Sequence, residues 1–130
     1  MERIELMQML ARKPADAYRR VDLDARIEAS SGEELTVICL EEASAALAQA
    51  LVCVEREPAT SPRDALARAH GILVSLARGV SDDNPLQEAM RLFYGGLSAT
   101  IARNLSRCEA VDLRQARRDI ADLLEVVRPA

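Results

Sequence analysis

The chain is poor in aromatic residues. Tyr18, Phe93 and Tyr94 are the full set, and tryptophan is absent. A core built from this sequence must be aliphatic, made of Leu, Ile, Val and Ala, which suits helix packing. Histidine occurs once, as His70, and lysine once, as Lys13. The G-x-S-x-G, H-E-x-x-H and glycine-rich phosphate-loop patterns are missing. We therefore expect no enzyme: no catalytic residue, no metal site and no cofactor. Cys39, Cys53 and Cys108 form an odd set without metal-ligand spacing. On one helix Cys39 and Cys53 would stand about 21 Å apart, too far to share a metal. They read as small apolar side chains in a reducing compartment. Excess positive charge is lacking too. At a formal charge of −4 the chain has no electrostatic push toward nucleic acid or anionic lipid. No clean apolar run reaches the roughly 18 residues of a membrane span. The N-terminal MERIELMQMLARK mixes acids among its apolar residues, unlike a secretory leader. We expect a cytoplasmic chain with no membrane insertion.

What is present points to helices. The 130 residues are 49% hydrophobic and 29% charged, the balance of one globular domain. The longest helical stretch is Ser31 to Glu57, which has no proline and whose one glycine stands at its start. Ser31 and Glu34 form a capping-box pair ahead of it. Its apolar residues cover two neighbouring faces, Leu35, Ile38, Ala46 and Ala50 on one and Val37, Leu40, Leu47, Leu51 and Val54 on the other. A surface helix needs a single stripe of roughly 100°. Either this helix is central, or something else covers its second face.

Three further starts follow. Ser61-Pro62 with Asp64, Asn84-Pro85 with Gln87, and Asp112 with Gln115 each carry a helix-start signature. Gly79 is placed as a C-terminal stop. The stripes are Leu66, Ala69, His70, Leu73 and Leu76; then Leu86, Met90, Phe93, Leu97 and Ile101; then Leu113, Ala116, Ile120, Leu123 and Val127. The spacing predicts helices near 32–56, 62–79, 85–107 and 113–127, with Leu47, Leu51, Leu73, Leu97, Ile120 and Leu123 in the core. Short connections favour antiparallel neighbours. The predicted fold is all-α: an antiparallel up-down four-helix bundle over 31–130, preceded by a short helical or extended capping segment over 1–30. Tyr18, Val21, Leu23 and Ile27 would anchor that segment.

Several features have two readings. Gly95-Gly96, inside the third helix, marks either close helix packing or a local bend, or else a small-residue groove for a partner segment. His70 on a four-helix bundle resembles a histidine phosphotransfer site. The H-x-L-K-G pattern of such sites is not kept, because Ile72-Leu73-Val74 follows Gly71. A packed or edge histidine is the better reading, and a phosphotransfer-like signalling bundle is the alternative. A structural, oligomeric helical adaptor is another. Arg103, Arg107, Arg114, Arg117 and Arg118 read as solvated helix ends. Glu41-Glu42 and Asp82-Asp83 are neighbours in sequence rather than acid–base pairs.

Taken together, several segments resemble the flagellin export chaperone family, FliS. They are Ala17-Tyr18, the helix start Ser30-Ser31-Gly32-Glu33-Glu34-Leu35, the run Arg68-Ala69-His70-Gly71-Ile72-Leu73-Val74-Ser75-Leu76, and Leu92-Phe93-Tyr94. The pattern covers about residues 15–128. Gly32 stands where the family has proline, and Leu40-Glu41-Glu42-Ala43 where it has Y-D-G-A. The resemblance implies a cytoplasmic chaperone that binds the C-terminal segment of flagellin in apolar grooves. It would prevent premature polymerisation and aid export by the flagellar type III secretion system. Export-apparatus components would be further partners, and the chain would be a monomer or weak dimer. On this reading the partner-binding residues are Tyr18, Val21, Leu23 and Ile27 of the N-terminal segment, Ile38, Leu40 and Leu47 of the long helix, and Tyr94, Leu97 and Ile101 across a groove. Leu40 matches the family's Y-D-G-A tyrosine and Tyr94 its L-Y tyrosine.

Overall fold

A computed structural model describes residues 32–128. The expected capping segment, with Tyr18, Val21, Leu23 and Ile27, lies outside the described residues, as does the Ser31 cap. Four helices follow in order: α1 (Gly32–Arg56), α2 (Arg63–Arg78), α3 (Gln87–Ser106) and α4 (Ala110–Val127). The described residues contain no strand, and the architecture is the expected all-α four-helix bundle.

Local chemistry sets each boundary. Glu33 and Glu34 in the first turn of α1 and Arg56 in the last complement its macrodipole. Pro58 then prevents continuation, and Thr60 closes the turn through Glu57. The start of α2 falls one residue later than expected: Pro62 is its N-cap, accepting from the Leu66 amide at 3.1 Å. Gly79 stops α2 but does not adopt the left-handed conformation; its φ is −84°. Glycine serves there because a Cβ would press to 3.3 Å from the Ser75 carbonyl oxygen. Asn84 stands two residues before the N-cap, Leu86. Its Oδ1 accepts from the Leu86 amide at 2.8 Å, and α3 begins only at Gln87. α4 begins two residues before Asp112, at Ala110.

Contacts between helix ends show the direction of the chain. Arg114 reaches Glu55 at 3.5 Å and Arg128 reaches Glu41 at 3.0 Å, so α4 runs antiparallel to α1. Arg63, at the start of α2, donates to the Leu105 carbonyl near the end of α3 at 3.1 Å. α1 packs on α2 and α4, and α2 packs on α3; α3 and α4 touch least of the four neighbouring pairs.

The core is aliphatic, with Tyr94 the one fully buried aromatic side chain among the described residues. Ile38, Cys39, Leu40, Ala43, Ala46, Leu47, Ala50 and Leu51 of α1 are all buried. The middle of the long helix is therefore consumed within the bundle, while Leu35, Val37 and Val54 toward its ends are partly buried and Val52 is exposed. This corrects the expectation that no stretch is membrane-like. α1 has the length and mean hydropathy, 1.7, of a membrane span, because Glu41 and Glu42 are the only charges between Leu35 and Val54. The buried side chains along its middle pack on neighbouring helices, as in the core helix of a bundle. The stripes also shift in detail. On α4, Leu124 is the buried leucine at 5% exposure, while Leu123 is only partly buried. Leu86, expected on the α3 stripe, is exposed.

Candidate functional site

The proposed groove residues are in the core. Leu40, Leu47 and Ile101 have no exposed surface, Tyr94 has 1%, Ile38 5% and Leu97 6%. An outward apolar face made of Ile38, Leu40, Leu47, Tyr94, Leu97 and Ile101 therefore does not exist in this conformation. The physical reason is the breadth of the α1 stripe. The helix packs against α2 on one side and α4 on the other, so its two apolar faces are two halves of one buried arc.

The centre of the core has unusual polar groups. Burial pushes the Cys39 thiol up to about 11, with Glu42 adding to the shift. Burial also raises the Tyr94 phenol, and the neighbouring Cys39 contributes. The Tyr94 hydroxyl is buried and makes no hydrogen bond among the described residues. Neither group is accessible for chemistry. Phe93 meets Tyr94 edge to face with ring centroids 5.8 Å apart.

The end where α3 turns into α4 leaves Ala65, Leu105, Cys108 and Ala110 partly buried, but more of the large apolar side chains fringe the end where α1 and α3 begin and α2 and α4 finish. Leu35, Val37, Met90, Phe93, Leu123 and Val127 pack on the core there but are only partly buried. The Gly79–Leu86 connection borders this end. Its own polar groups hold it: the Asn84 amide donates to the Ser81 carbonyl at 3.1 Å, and Arg91 pairs with Asp82 at 3.4 Å. The glycines of α3 also look outward. A Cβ on Gly95 or Gly96 would meet no atom within 4 Å. The close-packing reading of Gly95-Gly96 is thus corrected, because no helix of the described bundle approaches them.

The opposite end is closed by Asn104, which the sequence reading missed. Its Nδ2 donates to the Thr100 carbonyl at 2.8 Å and to Asp112 at 3.2 Å, and its Oδ1 accepts from the Glu109 amide at 2.6 Å. One buried side chain thereby satisfies groups at the end of α3 and the start of α4. The signal was available: Leu97, Ile101 and Asn104 share one helical row, so an amide stands where a core residue belongs. Arg68 is also buried and donates to Gln49. Nearby, burial raises the Cys108 thiol, and Cys53, Glu109 and Asp112 add to the shift. All three cysteines are free.

The other candidates are ordinary surface. His70 is half-buried on α2. Arg103, Arg107, Arg114, Arg117 and Arg118 are exposed; Arg107 pairs with Glu109 at 3.3 Å and Arg118 donates to Gln115 at 3.0 Å. Glu41 and Asp82 are engaged by Arg128 and Arg91 respectively. Among the described residues no three His, Cys, Asp or Glu side chains are grouped to hold a metal ion. Comparison of the chain with known protein families, with curated proteins and with solved structures finds no match.

Proposed function

We propose that this chain is a cytoplasmic chaperone without turnover, which holds the C-terminal segment of flagellin before export by the flagellar type III secretion system. The observation that carries the reading is the partly buried apolar end of the bundle, set beside the family resemblance. An amphipathic client helix laid on Leu35, Val37, Phe93 and Val127 would complete their burial, in the helix-in-groove mode. Each square ångström of apolar surface so covered is worth about 25 cal/mol. This moves the client surface from the middle of α1, where side chains have nothing left to bury, to the end where they do. Residues 1–30 enter α1 at that same end, and their spaced apolar residues suit them to act as a displaceable cover.

The test is calorimetric titration of the full chain with the C-terminal segment of flagellin from the same cell. Binding is expected, weakened at least tenfold by Val127→Asp and Phe93→Ser while both variants remain folded. Absence of measurable binding by the wild-type chain, including one lacking residues 1–24, sinks the reading.

A further inference from the structure

The outer face of α3 packs against nothing among the described residues. Glu88, Leu92, Gly96, Ala99 and Arg103 recur at steps of four, four, three and four, which places them on one narrow row. All five are exposed, and Leu92 keeps 70% of its surface open. Each glycine inside a helix costs about 1 kcal/mol relative to alanine. Gly95 and Gly96 accept this penalty although no neighbouring atom among the described residues demands a missing side chain. What a missing side chain permits is a close approach from outside.

The charges say which partner fits. Glu88 stands in the first turn of the row's helix and Arg103 in its last. The midpoint between them falls between Gly95 and Gly96. Two copies of α3 laid antiparallel about a two-fold axis through this midpoint bring Gly95 against Gly96. Leu92 then meets Ala99 of the second copy, and Glu88 meets Arg103. Every contact is made twice, as an isologous interface requires. A parallel arrangement would set Glu88 on Glu88 and Arg103 on Arg103. We propose that the outer face of α3 is a self-association surface, on which two copies of this chain pair antiparallel.

The contact is one helix row on each side, less than the roughly 800 Å² per partner of a standard interface. The dimer is therefore weak and concentration-dependent. It shares no residue with the apolar end assigned to the client, so failure of either proposal leaves the other standing.

Sedimentation equilibrium of the full chain, from micromolar to millimolar, tests it. The average mass is expected to rise from 14.2 kDa toward twice that value. Glu88→Arg alone and Arg103→Glu alone should remain at single-chain mass over the same range. An equimolar mixture of the two variants should recover the dimer, because a mixed pair sets opposite charges together at both ends. Gly96→Leu gives an independent check. It removes a helix-weakening glycine into open space, so the melting temperature should rise while self-association falls at least tenfold. A wild-type mass constant at one chain overturns the proposal, whether residues 1–31 or a client normally occupy the face. So does a mixture no heavier than its components, or a Gly96→Leu chain that associates as strongly as wild type.

Discussion

The two ends of the bundle solve the same problem differently. At the end where α3 turns into α4, a buried amide bonds three groups at once, and the connection needs only Arg107 to Glu109. Leu66, Ile101 and Leu113 beneath it have no exposed surface, although Leu105 and Ala110 at the rim are partly buried and Val111 is exposed. At the opposite end an eight-residue connection, Gly79 to Leu86, is held by polar groups of its own, and the apolar side chains beside it remain half covered. Polar closure lets a core be sealed by the chain itself. An apolar rim leaves burial incomplete, and completing it is something a second segment can do. The difference teaches where binding capacity resides: in area not yet buried, rather than in the greasiest helix.

The largest test places a charge in the fully buried core. Leu40→Asp puts a carboxylate where no surface is exposed, and burying an unpaired charge costs more than a domain of this size can spare. We expect a chain unfolded at room temperature by circular dichroism. A folded Leu40→Asp chain that merely loses client affinity would return Leu40 to the binding surface. Next comes a matched pair. Leu113→Ala, under the amide-closed end, should cost about 2–5 kcal/mol. Leu123→Ala, at the apolar end, should cost less than half as much in the same urea titration. Equal losses would erase the distinction between the ends.

Alkali offers a graded test. The Cys39 thiol is raised in the fold from 9.0 to about 11. A thiol raised by folding contributes stability that is whole below its unfolded value and is lost as pH climbs to the folded one. Two units correspond to at most about 3 kcal/mol. Stability should therefore decline between about pH 9 and pH 11, and Cys39→Ala should decline less over that window. Asn104→Ala should cost about 1–3 kcal/mol by stranding the Glu109 amide, and hydrogen exchange should quicken at the start of α4 rather than at the start of α1. The smallest effect is expected at Tyr94→Phe. Removing a buried hydroxyl that has no partner should leave stability unchanged or raise it by up to about 1 kcal/mol. A loss above that would mean the hydroxyl is bonded.

Much of the fold was legible because helix signals are local. Prolines at 58 and 62, Gly79 and the other helix-start residues mark boundaries within one to three residues of those observed, the largest miss being the start of α4. The site was less legible. Leu40 and Tyr94 matched positions that the family resemblance assigns to a client, yet both are core. Sequence position along α1 does not say which neighbours flank it. On α4, Leu123 and Leu124 both continue an apolar row, and a rotation of one residue decides which is sealed.

By itself the sequence determined the helices, their order and an aliphatic core, since capping, periodicity and the scarcity of aromatic residues act within a few residues of each other. Only the tertiary structure decided which apolar side chains were left over. Burial depends on what packs from the far side of the bundle: α4 on α1, nothing among the described residues on Gly95 and Gly96, and Asn104 across the turn to Glu109. Those contacts join residues distant in the chain or depend on a helix's rotation, and neither quantity is written in local spacing.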